Sequence, residues 1–159
     1  MWSVDPIGWC ASRYNVEDGG RPIGVLDLGG WRRGRGILIG TQHLGIEREG
    51  WWRPEYRLAG AQITARPAGA WRGGFLIEHE GQEYVLQRSS VWGRSFELKR
   101  GGTLLGEVRS VGLFSSRAQA DIKDEVPLEL RLFVVWLVLL AWRNAAAAGA
   151  AAGVVVASS

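Results

Sequence analysis

The side chains with the widest chemical scope in this 159-residue chain are two histidines, one cysteine and a cluster of arginines. His43 and His79 fall in separate short segments of β character. Zinc needs three or four His, Cys or carboxylate ligands within reach, and two distant histidines with Cys10 do not supply them. Glu78-His79-Glu80 also lacks the i, i+4 histidine pair of the helical zinc-protease motif. A cysteine nucleophile needs a base and an orienting group. Cys10, next to Trp9 in an unpatterned stretch, has neither at legible spacing and reads as inert. The chain contains no Gly-x-Ser-x-Gly elbow and no Walker lysine, and Gly34-Arg35-Gly36 lacks the last glycine of a dinucleotide loop. Surface carboxylates are numerous enough for a glycosidase-type acid pair, but no spacing singles one out. The expectation is no catalytic residue, no metal and no cofactor. An enzyme whose site is assembled from dispersed residues stays as the alternative.

The densest basic cluster is Arg32-Arg33-Gly34-Arg35, directly after Trp31. The guanidinium fork matches phosphate geometry, and tryptophan is at home at a membrane interface. Read functionally, the cluster is a patch for phosphates or anionic lipid headgroups. Arg53 and Arg57 share the polar face of Trp52–Leu58, beside Trp51, and extend the patch if the two segments are neighbours. A solvated loop is the ordinary alternative, and on residue types alone the weightier one. Lys99 and Lys123 are the only lysines, so GC-rich codon usage competes with selection for arginine. Trp51, Trp52, Trp71 and Trp92 suit a sugar or ligand platform, but strand tryptophans more often pack in a core or at a barrel rim.

The totals set the frame for these residues. The length suits one domain with a real core, and 47% of the residues are hydrophobic. A net charge of +3 does not argue for a nucleic-acid partner. A single cysteine forms no internal disulfide, which fits a cytoplasmic location. Asp5 and Pro6 in a start without a basic segment do not read as a signal peptide.

From about Tyr14 to Ile122 the chain reads as short strands of alternating polarity between glycine-rich turns. Trp52, Tyr56 and Leu58 share one face, as do Phe96 and Leu98. Leu104, Gly106 and Val108 face opposite to Leu105 and Glu107. Gly81 and Gly101-Gly102 join adjacent runs as tight hairpins, and Gly19-Gly20, Gly29-Gly30 and Gly50 punctuate the first third. No repeat of fixed period is evident. Asp121–Glu125 is charged, Pro127 suits a first helical position, and Leu132–Trp142 carries no polar residue. The spacing predicts a helix over 127–143, with Ala145–Ser159 as a helical extension or a frayed tail.

A helix that is apolar all round must be buried on all sides. Leu132–Trp142 is too short for a bilayer, which takes about 20 residues. Stretching the span to Ala157 puts Arg143 and Asn144 near its middle, where a charge costs about 2.5–3.5 kcal/mol. A membrane tail anchor is therefore the lesser reading. The other home is a closed barrel. A helix of about 17 residues rises about 25 Å, and a strand of about six residues spans about 20 Å. Such a helix runs the height of a barrel whose strands turn their apolar faces toward it.

Ser95–Val108 (SFELKRGGTLLGEV) and Pro127–Trp142 (PLELRLFVVWLVLLAW) resemble the late hairpin and terminal helix of the tubby-like C-terminal fold. That group includes tubby domains, phospholipid scramblases and LURP-one-related proteins. The resemblance implies an all-β fold over residues 12–145, a closed antiparallel barrel of about 10–12 strands enclosing the C-terminal helix. Residues 1–11 are then an N-terminal extension and 146–159 an Ala/Gly-rich tail. The phosphoinositide-binding residues of tubby domains do not map onto this chain residue by residue. Lys123 interrupts the acidic segment Asp121–Glu125, so the calcium site of scramblases is not carried over. The reading is a non-enzymatic binding or scaffold domain, cytoplasmic and peripheral at the membrane. It contacts anionic phospholipid through Arg32, Arg33, Arg35, Arg53 and Arg57.

Overall fold

The computed structural model describes residues 1–9, 12–30, 34–69, 73–89, 94–112 and 116–157, with side chains up to residue 150. Twelve strands precede one helix: β1 (Trp2–Pro6), β2 (Arg13–Asp18), β3 (Arg21–Asp27), β4 (Gly36–Ile39), β5 (Gln42–Glu49), β6 (Glu55–Leu58), β7 (Ile63–Pro67), β8 (Phe75–His79), β9 (Gln82–Arg88), β10 (Ser95–Arg100), β11 (Thr103–Ser110), β12 (Ala118–Ile122) and α1 (Leu128–Ala157). Each strand pairs antiparallel with its sequence neighbour, and β1 pairs with β12 to close the barrel. Closure leaves no open sheet edge.

The first strand corrects the expected boundary. Trp2–Pro6 is not an extension but the seam of the barrel, with Trp2↔Ala120 on one side and Trp2↔Asp18 on the other. Trp2 and Val4 are buried. The missed signal is the alternation of Trp2 and Val4 with Ser3 and Asp5, too short to stand out alone.

Inside the barrel, period-2 strands meet the all-apolar helix. Val4, Val16, Leu26, Ile37, Leu58, Ile63, Ile77, Leu86, Phe96 and Leu98 point inward and are buried. Leu130 and every residue from Leu132 to Leu140 are buried against them. Glycine lets the walls close in. A Cβ at Gly106 would lie 2.5 Å from the Asp121 carbonyl oxygen and 2.6 Å from the Ile122 Cα, both backbone atoms that cannot swing aside. Gly106→Ala is expected to destabilise the protein by about 1–3 kcal/mol through overpacking, read as a lower midpoint in thermal unfolding. An unchanged midpoint would show that β11 and β12 separate without cost.

The hairpin turns also correct the expectation of no repeat. Tight links fall at 19–20, 40–41, 80–81 and 101–102, and a longer one at 59–62, a near-constant spacing. Two hairpins agree in detail. Both use a Gly-Gly turn with positive φ (57° and 83° at Gly19-Gly20, 55° and 82° at Gly101-Gly102), the geometry of a type I′ hairpin. Both then carry a bulge. Val16↔Gly24 follows Glu17↔Pro22, and Leu98↔Gly106 follows Lys99↔Leu104, leaving Ile23 and Leu105 as the extra residues. The bulge re-phases β11, so Leu105 and Val108 face inward while Leu104 is 47% exposed. Strict alternation, which set Leu104 with Val108, fails at that residue.

The helix also runs further than 143. It begins at Leu128, with the Pro127 carbonyl accepting the Arg131 N–H at 3.0 Å, and continues to Ala157. By length and composition Leu128–Ala150 could cross a membrane, yet half of its most apolar window lies inside the barrel.

Candidate functional site

Antiparallel closure sorts the connections to two ends. At one end lie the short links 19–20, 40–41, 59–62, 80–81 and 101–102 and the lead into α1. They contain no aromatic residue, and their charges are Glu80, Lys123, Asp124 and Glu125. At the other end, where α1 leaves the barrel, lie the long connections 7–12, 28–35, 50–54, 68–74, 89–94 and 111–117. In sequence these hold Trp9, Trp31, Trp51, Trp52, Trp71 and Trp92, six of the nine tryptophans. They also hold Arg32, Arg33, Arg35, Arg53, Arg72, Arg94 and Arg117, and no Asp or Glu. Trp31, Arg32, Arg33, Trp71, Arg72 and Trp92 lie outside the described residues, as does Cys10.

The described part of this exit rim is apolar and exposed. Trp9 is fully exposed, Trp51 and Trp52 are 82% and 78% exposed, and Ile7 and Val111, in connections at the same end, are exposed too. Only Met1 and Leu104 among the other described large hydrophobics are exposed. The link 50–54 shows how the sequence achieves this. Gly50 takes φ 79°, outside the β region, and Pro54 has no N–H to donate, so the β5–β6 ladder ends at Glu49↔Glu55. Trp51 and Trp52 then leave the sheet together, edge to face with ring centroids 5.6 Å apart. This corrects two expectations. Tyr56 and Leu58 are buried as expected, but Trp52 is not on their face, and neither Trp51 nor Trp52 packs into the core.

The arginines divide. Arg53 is exposed beside Trp52. Arg35 is half-buried, and its carbonyl accepts the Ile46 N–H at 3.0 Å. Arg57 does not join the patch. It sits on the outer barrel wall opposite Glu47, with Nη1 3.8 Å from Glu49 Oε1. Two arginines absent from the expected set belong to the rim. Arg94 Nη1 donates to the Gly112 carbonyl at 3.0 Å, tying two connections, and Arg117 Nε lies 3.1 Å from Asp5 Oδ1. The alternation of short glycine-bearing links with longer Trp- and Arg-bearing ones is the sequence signal that could have found them.

The helix is fastened at the rim. Arg143 donates to the Gly29 carbonyl at 3.1 Å and the Leu28 carbonyl at 3.2 Å. Trp142 meets Phe96 edge to face at 6.4 Å. Burial raises the pKa of Tyr14, against the opposing charge of Arg143. At the opposite mouth Arg131 lies 5.0 Å over the Trp2 ring and 2.9 Å from Asp124 Oδ1.

The histidines are apart. His43 is exposed on β5, against Gly36. His79 borders an open depression of about 300 Å³ at the short-link end, with Gln42, Glu80 and Glu129. Its Nδ1 is buried with no hydrogen-bond partner. Its described lining carries His79, Glu80 and Glu129 as ionisable groups and no Ser, Thr, Cys or Lys. Among the described residues no group of three His, Cys, Asp or Glu could hold a metal ion.

The fold and this rim together define a β-barrel plugged by its own C-terminal helix, with a Trp- and Arg-bearing mouth where the helix emerges. Comparison with protein-family models, curated proteins and solved structures found no match.

Proposed function

We propose that the protein is a non-enzymatic, peripheral membrane-binding domain of tubby-like architecture that sets its helix-exit rim on anionic lipid. The twelve-strand closed barrel around a C-terminal helix supports the tubby-like part. One observation carries the lipid part: the connections at the helix-exit end carry exposed tryptophans and arginines with no Asp or Glu among them, whereas the short links at the other end carry no aromatic residue and no arginine. Tryptophan partitions to the headgroup level. Each arginine near an anionic surface contributes about 1 kcal/mol, which salt screens. A solvated loop set needs no exposed tryptophans, and isolated apolar surface residues do not gather at one end.

Co-sedimentation with vesicles tests this. Binding to phosphatidylglycerol-containing vesicles should exceed binding to pure phosphatidylcholine and weaken with salt. Arg53→Ala should reduce it about fivefold, equivalent to about 1 kcal/mol. Trp51→Ala with Trp52→Ala should reduce it at least about tenfold, leaving thermal unfolding unchanged because both rings lie outside the core. Equal, salt-insensitive binding to both vesicle types would sink the proposal.

A further inference from the structure

We infer that α1 is shared between two apolar environments: residues up to Arg143 plug the barrel, and residues 144–157 enter the hydrocarbon of a lipid bilayer. The inference rests on the rim as the membrane-facing surface and adds what the emerging helix does there. Four observations carry it. First, the helix leaves the barrel through the rim that holds Trp9, Trp51 and Trp52, so a bilayer meeting those rings also meets the helix. Second, from Asn144 to Ala157 the chain carries no charge, and residues 144–150 are exposed.

Third, the helix is continuous to Ala157 although Gly149, Gly153 and the run Val154-Val155-Val156 are weak helix formers in water. In hydrocarbon the backbone must satisfy its own hydrogen bonds, and such residues are held helical. Fourth, Arg143 is kept at the rim by the Leu28 and Gly29 carbonyls, so its charge need not enter the apolar layer. The projecting segment rises about 21 Å, past the midplane of a hydrocarbon layer about 30 Å thick but short of its far side. Alanine and glycine alone bind lipid weakly, so the segment depends on the rim to bring it there. The occupant is the bilayer; a second copy of the chain is the competing outcome.

The test uses the full chain with Cys10→Ser and Ala150→Cys, labelled at residue 150 with an environment-sensitive nitrobenzoxadiazole fluorophore. Residue 150 lies about 10 Å beyond Arg143 along the helix axis. On vesicles of equal parts phosphatidylglycerol and phosphatidylcholine, emission should shift to the blue and be quenched by nitroxide on the acyl chains. A probe that stays water-like while the protein co-sediments overturns the insertion and leaves the rim reading intact. A blue shift without vesicles that grows with protein concentration gives the helix to a second copy and also overturns it. No co-sedimentation removes both readings. In the unlabelled chain, Ala150→Asp should weaken binding about tenfold or more, with the thermal midpoint unchanged and the salt-sensitive binding retained. Binding unchanged by Ala150→Asp counts against insertion.

Discussion

A chain ending at Glu129 is expected to show no cooperative thermal unfolding and no near-ultraviolet circular dichroism. It lacks Leu130 and the whole buried run Leu132–Leu140, including Phe133 and Trp136. Each large side chain lost from a core costs about 2–5 kcal/mol, while the total stability of a domain is about 5–15 kcal/mol. Removing the run leaves twelve strands with their apolar faces around a void, and such a void fills only by collapse or aggregation. A chain ending at Asn144 makes the control. It keeps the buried part of α1 and both Arg143 hydrogen bonds, and should melt cooperatively near the full-length midpoint. Equal, cooperative melting of the Glu129 and Asn144 chains would show that the barrel stands without its plug.

Trp136→Ala is the point substitution with the largest expected effect. The ring is fully buried, stacks on Phe133 at 6.0 Å and meets Tyr56 edge to face at 5.4 Å. Its indole N–H donates to the Asp27 carbonyl at 2.7 Å. Truncation to alanine should cost about 3–5 kcal/mol, which for a chain of this size lowers the thermal midpoint by about 6–20 °C. Trp136→Phe separates the two contributions. It keeps most of the packing and loses the hydrogen bond to the Asp27 carbonyl, at about 0.5–1.5 kcal/mol. If Trp136→Phe is as damaging as Trp136→Ala, the hydrogen bond, not ring volume, holds helix to barrel. If both are mild, the helix repacks and the contact is not a keystone of the core.

These two results bear on function because the plug positions the rim. Arg143 and Trp142 tie the helix to the ends of β3 and β10, so the direction in which residues 144–157 leave the barrel follows from how the core packs. A loosened plug should therefore weaken vesicle binding as well as lower the midpoint, whereas the rim substitutions at Trp51, Trp52 and Arg53 should change binding alone.

Two patterns in the sequence were enough for the barrel and its helix. Phe96 and Leu98 alternate with Ser95, Glu97 and Lys99, which a strand with one buried face requires. Leu132–Trp142 has no polar side, so it must be enclosed. Gly-Gly links short enough to force antiparallel hairpins completed the picture. These are local properties, set by side-chain periodicity and backbone sterics within a few residues. What local pattern did not reach was decided by the tertiary structure. Leu105 replaced Leu104 on the inner face because a bulge is a mismatch between two strands, and neither strand records it alone. Trp2–Pro6 became a strand because β12 offered it a partner far along the chain. Arg57 left the patch because β5–β6 pairing set it opposite Glu47 and near Glu49, while strand order gathered Trp9, Trp51, Trp52, Arg53, Arg94 and Arg117 at one mouth. Residues distant in sequence become one surface only when the sheet closes, and that grouping is a property of strand order, not of spacing along the chain.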